Sequence, residues 1–546
     1  MSNRRVHVVN MIPKSMSGET NQDSEPQLTI NPENHRMMVG TAFTPDPGGG
    51  PLGPVFASFD GGNTWTLDLI VPGGEPNDQS VRFGSGSALY AGVLRGDHFL
   101  RMNVLRSAPY SGSTAMQTVV QRDTIDQPYV AATHSHGRDR VFVGNNDASS
   151  GPYRGSVEHS ADARNAPPPA GFSQNVIDPR LTIRDSPSIR PAPHHDGTVY
   201  VAYFSWRTGG PVHADIVVAR DDHFGTGASP FTDLTDPNDG LSGFRVALSV
   251  PIPWFFYVAN ERLGSCLSIA VHPENSDIVY LAWGDGSYPG SQQTLHVRRS
   301  LDRGVTWSGD LFTAPNATNA SLAITRNGKV GFLYQQAVTS GAAQRWETHV
   351  QITRNGWATP AEDIVLANTP VDNATYTYDP YIGDYADLQA VGNEFHGIFC
   401  AHNVPNMGNF PHGVHYQRNA DFAANQLLDV NGITPVANSI DPFYAHIWWH
   451  EEEEEEEECC PEGVGRLIVR GLRYERLEID ELELESCCCC DEEHRHDEHS
   501  HRFRRGHMVR RLGERLEHLG KHLLHEAHEH EHHEHEHHEH HKHHKH

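Results

Sequence analysis

The feature that most constrains the fold is a polar turn that occurs twice, as SFDGGNTW at 58–65 and as SLDRGVTW at 300–307. The aspartate predicts hydrogen bonds from backbone N–H groups of its own turn, and the glycine allows a positive φ. The tryptophan begins the returning strand and packs over the turn, so each copy predicts a tight β-hairpin. The shared frame consists of Ser58, Asp60, Gly62 and Trp65 in the first copy and Ser300, Asp302, Gly304 and Trp307 in the second.

The hairpin belongs to a longer repeat within the first 430 residues. Related turns follow alternating strands at Ser58, Ser107, Ser160, Ala219, Ser300, Thr353 and Gln417. About 30 residues before each turn, a short polar stretch leads into a strand rich in β-branched and aromatic residues, such as TVYVAYFSW. Seven units of about four strands predict an all-β β-propeller with seven four-stranded blades, or six as the alternative. Tandem β-sandwiches would instead give separate cores and no shared period.

Composition divides the chain into unequal parts. Residues 1–21 form an N-terminal lead-in and residues 22–450 the propeller. An acidic linker follows at 451–460, and then comes a segment at 461–490 whose alternating pattern suits a β-hairpin. The histidine-rich tail at 491–546 includes one short predicted helix at about 507–528. The formal net charge is −28, and residues 451–546 carry half of it, with 28 acidic and 14 basic side chains.

The tail is rich in metal ligands. Thiolates and neutral imidazoles bind zinc, nickel or copper, so these side chains predict transition-metal binding. Reduced, unliganded thiols are the alternative for the cysteines. The candidate ligands are Cys459, Cys460, Cys487, Cys488, Cys489, Cys490, His518, His522 and His525. Apolar residues spaced three and four apart along the short helix are consistent with self-association or with packing onto the propeller.

Several classes of partner and location are disfavoured. The negative charge argues against a nucleic acid held through phosphate contacts. No run of about 18 apolar residues is present to span a membrane, and the first residues lack the apolar core of a secretory signal. The sequence therefore predicts a cytoplasmic protein or one exported by a non-classical route.

The turn frame resembles the Asp-box, or BNR repeat, of sialidases and sialidase-like propellers. The strings LTINPENHRMMVGTAF, LSIAVHPENSDIVYLAWGDG and DPYIGDYADLQAVGNEFHGIF are similar to blade cores of the bacterial sialidase-like group. The resemblance covers about residues 22–430 and implies a propeller fold. Asp-boxes also occur in propellers that hydrolyse nothing, so the resemblance is less specific for activity. The family's opening motif has an arginine where this sequence has Met11.

The resemblance also implies a set of catalytic groups. Sialidases hold a substrate carboxylate with three arginines, pair a tyrosine nucleophile with a glutamate, and use an aspartate as acid and base. The residues of these types near predicted innermost strands are Arg122, Arg184, Arg262, Glu261, Tyr381, Tyr385 and Asp126. Ordinary ion pairs and caps around the propeller channel are the alternative interpretation of these side chains.

Acidic residues at the starts of innermost strands have two interpretations. They accept backbone hydrogen bonds between blades, or they supply oxygen ligands to calcium. The residues concerned are Glu25, Asp78, Asp126, Asp185 and Asp384.

Two hypotheses of function remain. In the first, the propeller recognises a glycan or a protein and the tail binds metal for anchoring or assembly. In the second, the chain is an exo-acting glycoside hydrolase of the sialidase type. Whether the protein is an enzyme at all is left open by the sequence.

The tail makes a prediction about pH. Between His494 and His546 lie 20 of the 39 histidines, and protonation near pH 6 would offset the tail's negative charge. We expect the isolated tail to change from an extended to a compact or self-associated form between pH 7 and pH 5.5. Its hydrodynamic radius measures this, and a constant radius across that range would contradict the prediction.

Overall fold

The protein is almost entirely β-strand in the residues that the structure, a computed structural model, describes. These are residues 3–43, 54–69, 76–95, 100–112, 115–149, 154–168, 171–180, 188–207, 213–252, 266–286, 293–340, 343–371, 382–450, 466–473 and 478–485. Within them the helical segments are two short 3-10 turns, Lys14–Met16 and Met407–Asn409. None of the helices there is long and apolar enough to cross a bilayer.

The chain divides into two compact units, Met1–Glu451 and Glu452–His546. The first unit begins with β1 (Asn3–Asn10). Six four-stranded antiparallel sheets follow, with their strands adjacent in chain order.

Sheet 1 comprises β2 (Ser24–Ile30), β3 (Met38–Phe43), β4 (Pro54–Ser58) and β5 (Thr66–Leu69). Sheet 2 comprises β6 (Pro76–Phe83), β7 (Leu89–Arg95), β8 (Arg101–Ser107) and β9 (Gln117–Asp123). Sheet 3 comprises β10 (Ile125–Ser135), β11 (Arg138–Asp147), β12 (Arg154–Ser160) and β13 (Ser173–Val176). Sheet 4 comprises β14 (Ile189–Pro193), β15 (Val199–Trp206), β16 (His213–Asp221) and β17 (Phe244–Pro251). Sheet 5 comprises β18 (Leu267–His272), β19 (Asn275–Asp285), β20 (Thr294–Ser300) and β21 (Phe312–Pro315). Sheet 6 comprises β22 (Ala317–Ile324), β23 (Val330–Ser340), β24 (Ala343–Thr353) and β25 (Glu362–Pro370).

The remaining strands of this unit form sheet 7 and a small accessory sheet. They are β26 (Asp387–Val391), β27 (Glu394–His402), β28 (His415–Tyr416), β29 (Ala420–Asp421), β30 (Gln426–Leu428), β31 (Pro435–Val436) and β32 (Ile440–His450). Sheet 7 has the order β26-β27-β32-β1-β28, and β29, β30 and β31 form the accessory sheet.

The second strands of two sheets are buried on both faces. Every residue of β7 and of β15 is buried. A strand that buries both faces requires packed layers on both sides, and the neighbouring sheets supply them. Accordingly, β2 contacts β6, and the contacts continue from β6 through β10, β14, β18 and β22 to β26, which in turn contacts β2. The predicted all-β class built from four-stranded units is confirmed.

Sheet 7 combines the start of this unit with its end. β1 pairs antiparallel with β32 over eight residue pairs, from Asn3 opposite His450 to Asn10 opposite Phe443. Residues 1–21 were expected to form an N-terminal lead-in. Their strand β1 instead lies next to β32 in sheet 7. Gln417, expected to mark the seventh hairpin, instead accepts the Trp65 N–H at 2.7 Å and donates to the carbonyl oxygens of Asn10 and Met11.

A buried arginine reinforces this junction. Arg418 donates to the carboxylate of Asp441 on β32 at 2.9 Å and to the carbonyl of Ser17 at 2.9 Å. It also pairs with Glu19 at 2.9 Å. Burial raises the pKa of Glu19 to about 7, and the nearby Asp441 adds to the rise, while Arg418 opposes it. The segment after β1 is thus tied to β32 by charge-assisted hydrogen bonds.

The two polar turns at 58–65 and 300–307 have matching geometries. In the first copy Gly62 N–H donates to Ser58 Oγ at 2.9 Å, and Thr64 N–H donates to Asp60 Oδ1 at 2.9 Å. The equivalent distances in the second copy are 2.8 Å and 2.9 Å. The indole N–H of Trp65 donates to the Gly62 carbonyl at 3.1 Å, and Trp307 does the same to Gly304 at 3.0 Å. Each turn joins the third and fourth strands of its sheet.

A third turn repeats the geometry with other residues. After β24, Thr353 occupies the serine position and Asn355 the aspartate position. The N–H of Trp357 donates to Thr353 Oγ1 at 3.1 Å, and the N–H of Thr359 donates to Asn355 Oδ1 at 3.4 Å. Trp357 stands where the other copies have glycine and adopts a φ of 63°. The backbone conformation is therefore retained where the sequence frame is lost.

The second unit contains two described strands, β33 (Arg466–Arg473) and β34 (Glu478–Glu485). They pair antiparallel, with Arg466 opposite Glu485. The candidate metal-binding cysteines and histidines of the tail, and the predicted helix at 507–528, lie outside the described residues.

Substitutions at the two glycines of the first turn are expected to have unequal effects. Gly61 and Gly62 have φ values of +83° and +86°, so alanine at either costs about 1–2 kcal/mol of backbone strain. A Cβ at Gly62 would also lie 2.2 Å from the Tyr444 ring, whereas one at Gly61 meets nothing within 4 Å. We expect Gly62→Ala to lose about 1–3 kcal/mol more stability than Gly61→Ala in urea unfolding. Equal losses would show that the Tyr444 contact is unimportant.

Candidate active or binding site

Bulges distort the beginnings of several first strands. The pairing register shifts between Ser24 and Gln27, between Pro76 and Gln79, between Asp126 and Tyr129, and between Thr318 and Ser321. Glu25, Gln127 and Asn319 lie within these bulges and have positive φ values of 57°, 48° and 58°. A bulge bends the strand and redirects its side chains, and such conformations are strained for residues other than glycine. The polar strand starts seen in the sequence therefore coincide with repeated backbone irregularities.

Three of the acidic strand starts, Glu25, Asp78 and Asp384, lie near one tyrosine, Tyr385, which precedes β26. Burial raises the pKa of the Tyr385 phenol well above its ordinary value. The nearby carboxylates of Glu25, Asp78 and Asp384 raise it further, and the guanidinium of Arg190 acts in the opposite direction. We call these five residues the Tyr385 cluster. Its phenol stays protonated at neutral pH among three acidic side chains and one basic side chain.

A glycine brings two of these segments together. Gly383 has a φ of +97°, and a Cβ there would lie 2.2 Å from the backbone nitrogen of Glu25. No other residue permits this approach without moving the backbone. The segment before β26 therefore lies directly against β2, which places Asp384 and Tyr385 beside Glu25.

A cavity of about 200 Å³ lies between the first strands of sheets 2 to 7. The apolar residues that line it include Ala131, Ala192 and Ala270. The functional groups on it are those of Arg82, Tyr129, Arg190, Ser268, Ser321, Asp387 and Gln389. We call this space the first-strand cavity.

Asp387 links three sheets at the wall of this cavity. Its Oδ2 accepts the Leu28 N–H of β2 at 3.1 Å and an Arg82 N–H of β6 at 3.3 Å. Arg82 also donates to the Leu28 carbonyl at 2.6 Å. Burial alone would lower the pKa of Arg82, but Asp387 and then Tyr129 raise it above its ordinary value. Arg82 is thus a charged structural group with its partners in place.

Arg190 joins the cavity to the Tyr385 cluster. Its guanidinium carbon lies 4.3 Å from the ring centre of Tyr129 and 5.6 Å from that of Tyr385. Its Nε donates to the Leu267 carbonyl at 3.3 Å. Stacking between two aromatic rings holds the planar guanidinium in a fixed orientation. Burial also raises the pKa of Tyr129, and Asp387 adds to that rise.

The arrangement suits hydrogen bonding to a polar ligand more than attack by a phenolate. A tyrosine whose pKa is raised donates a hydrogen bond and is a weak nucleophile. Carboxylates accept hydrogen bonds from hydroxyl groups, and aromatic rings pack against the C–H faces of sugars. Among the described residues of the cluster and the cavity, the four carboxylates of Glu25, Asp78, Asp384 and Asp387 outnumber the guanidiniums of Arg82 and Arg190. The local charge therefore disfavours an anionic ligand.

The structure separates the described members of the expected catalytic set. Arg122 lies on β9, the outermost strand of sheet 2, and its Nε donates to Glu158 at 2.8 Å. It does not line the first-strand cavity. Asp126 lies in the bulge of β10, where its Oδ1 accepts the Gln127 N–H at 2.9 Å. Tyr385 belongs to the Tyr385 cluster. The other expected residues, Arg184, Glu261, Arg262 and Tyr381, lie outside the described residues.

Sequence reasoning missed the two arginines that the structure brings together. It favoured arginines just before the first strands, but β9 ends at Asp123, two residues before β10 begins, so Arg122 belongs to the preceding sheet. Arg82 and Arg190 lie inside first strands, in the strings SVRF and SIRP. The sequence pattern that indicates them is a charged residue within an otherwise apolar strand, because a buried charge requires a partner.

Comparison with known proteins assigns no family. No protein-family model matches the chain, and no curated protein matches it. Solved structures that align with it include an α-L-arabinofuranosidase from Fusarium graminearum, with 11% identity, 82% of this chain and 98% of that chain covered, and a TM-score of 0.36. The endosialidase of phage phi92 has 10% identity, coverages of 90% and 76%, and a TM-score of 0.39. A polysaccharide lyase acting on ulvan has 10% identity, coverages of 70% and 92%, and a TM-score of 0.42. At these values the matches assign no activity to this chain.

The wall of the cavity can be tested with paired arginine substitutions. Nη1 of Arg82 donates to both the Leu28 carbonyl and Asp387, and Tyr129 also contacts this guanidinium. A lysine ammonium is a point charge on a flexible stem and lacks the rigid planar group, so we expect Arg82→Lys to cost about 1–3 kcal/mol of unfolding free energy. The exposed pair of Arg101 with Asp123, at 2.7 Å, provides the control. We expect Arg101→Lys to cost no more than about 0.5 kcal/mol. Urea unfolding of both variants measures the difference, and similar losses would contradict it.

Proposed function

We propose that the first unit is a seven-bladed β-propeller that recognises a neutral carbohydrate at the Tyr385 cluster and the first-strand cavity. The cycle of contacts from β2 through β26 and back to β2 supports seven blades. The matching turns at 58–65 and 300–307 support Asp-boxes on the connections between third and fourth strands.

The observation that carries the proposal is the composition of the Tyr385 cluster. A protonated phenol, three carboxylates and a guanidinium held between two aromatic rings form a dense set of fixed donors and acceptors. Binding sites for small polar ligands are concave and present a few converging polar groups. A cavity of about 200 Å³ lies below the range of drug-sized ligand sites and suits one sugar unit.

Charge determines the class of sugar. Arg82 is engaged by Asp387 and Leu28, which leaves Arg190 as the guanidinium nearest to Tyr385 among the described residues. A sialic acid carboxylate would face Glu25, Asp78 and Asp384 at short range, and like charges repel strongly where water is scarce. A neutral sugar avoids this repulsion and can donate its hydroxyl protons to the carboxylates.

Hydrolysis of a neutral glycoside is the second candidate function. The transition state of glycoside hydrolysis has oxocarbenium character, and paired carboxylates stabilise that positive charge. The grouping of Glu25, Asp78 and Asp384 around one phenol favours this candidate over the sialidase reaction, which would use the phenol as a nucleophile. An exo-acting sialidase remains the alternative that the sequence resemblance implies.

Two further proposals concern metal ions, one in the tail and one at the acidic strand starts of the first unit. We propose that the tail binds zinc, nickel or copper through its cysteines and histidines, and that it serves in anchoring or assembly. Its composition supports this, because thiolate and imidazole are the ligands these metals prefer. Calcium at the acidic strand starts stays a prediction.

A glycan array followed by titration tests the proposed function. We expect the full chain to bind neutral glycans and not their sialylated forms. Glu25→Gln and Tyr385→Phe should each weaken binding about tenfold or more, because each removes a hydrogen bond inside a site shielded from water. Fluorogenic neutral glycosides and a fluorogenic sialoside, assayed with the same variants, distinguish binding from hydrolysis.

The control is Glu362→Gln, the same chemical change at an exposed glutamate that pairs with Arg4. It should bind as the parent protein does. Equal binding by Glu25→Gln and the parent, or a preference for sialylated glycans that survives these changes, would refute a neutral-sugar site at the Tyr385 cluster.

A further inference from the structure

Sheet 7 carries a row of histidines away from the proposed carbohydrate site. His396 on β27 lies opposite His446 on β32, and His446 lies opposite His7 on β1. Directly opposed residues of neighbouring strands project from the same face of a sheet. Three imidazoles therefore stand side by side across the three strands that join the start of the first unit to its end.

Two of these imidazoles and a carboxylate come close enough to share one ion. The rings of His396 and His446 stack with their centres 4.2 Å apart and their planes at 11°. Glu394 Oε2 lies 2.8 Å from His446 Nε2. One ligand atom from each of Glu394, His396 and His446 lies within 4.8 Å of the others. This spacing is compatible with three ligands around a single metal ion.

A hydrogen bond to Tyr444 orients the His396 imidazole for metal binding. Its Nδ1 is hydrogen-bonded to the Tyr444 hydroxyl at 2.7 Å, which directs its Nε2 away from that contact. Metal-bound histidines usually hold their second nitrogen in this way. His396 is 4% exposed. Burial lowers the pKa of His396 well below its ordinary value, and the neighbouring His446 and His35 add to this.

We propose that Glu394, His396 and His446 form a binding site for one zinc ion, with water completing the coordination. Two imidazoles and one carboxylate are a donor set that zinc uses in proteins, whereas calcium takes oxygen ligands only. The ion takes the place of the hydrogen bond between His446 Nε2 and Glu394 Oε2. It joins β27 to β32, the strand on which β1 pairs.

Thermal unfolding of the full chain with and without zinc tests the site. Ligand binding to the native state raises the melting temperature, by about 3 °C for a unit of this size when free zinc exceeds the dissociation constant about 100-fold. We expect Glu394→Gln to reduce that rise and His446→Ala to abolish it. Each variant is compared with its own metal-free melting temperature, so a change in basal stability does not affect the result.

The tail also contains many histidines and cysteines, whose side chains are potential zinc ligands in this experiment. All variants keep the same tail, so a difference between them reports on sheet 7 alone. The matched control is His412→Ala, an exposed histidine in the loop after Met407–Asn409, which should retain the full rise. Equal zinc-induced rises in all four proteins, or no rise in the parent, would overturn the proposal.

Diffraction from zinc-soaked crystals of the full chain supplies a second readout. Anomalous scattering at the zinc absorption edge should give a peak between Glu394, His396 and His446 in the parent and none there in His446→Ala. Peaks elsewhere with no peak among these three side chains would refute the site directly.

Discussion

The carboxylate of Asp387 is the interaction on which the first unit most depends. It accepts hydrogen bonds from the backbone of β2 and from Arg82 of β6, while standing itself at the start of β26. The three first strands that must meet for the cycle of sheets to close are therefore held by one anion. Because the group is buried, leaving any of these partners unsatisfied would cost more than the bond itself contributes. The same constraint fixes the wall of the first-strand cavity and so positions the candidate site.

The contact between β26 and β2 and the two proposed sites occupy the same region of the fold. Gly383 lets the segment before β26 touch Glu25 of β2, and this contact assembles the Tyr385 cluster from the two ends of the sheet series. The proposed zinc ligands lie on the next two strands of sheet 7. A unit assembled from repeated sheets has many equivalent positions, and within the described residues this junction brings together segments more than 350 residues apart.

The sequence predicted those features that depend on local physical chemistry. The turns at 58–65 and 300–307 are specified by the hydrogen bonds of Asp60 and Asp302 within a few residues, and the four-stranded unit follows from strand and turn composition. The contribution of β1 to sheet 7 depends on a partner more than 400 residues away, so no local pattern announces it. Arg82 and Arg190 were missed for a similar reason. Their partners, Asp387 and Tyr129, belong to other sheets and are distant in sequence. Trp357 shows the converse case, in which a packed framework imposes a left-handed conformation that its residue does not favour.

The pairing of β1 with β32 also bears on synthesis. About 430 residues separate the end of β1 from the start of β32, and a ribosome adding about 5–20 residues per second needs about 20–90 s to make them. For that time the nascent β1 has no native partner, and an exposed strand edge invites pairing with other chains. Its sequence, NRRVHVVN, places two arginines before its apolar residues and a histidine among them. Positive charge of this kind discourages intermolecular pairing until the ribosome has released the strand that completes the sheet.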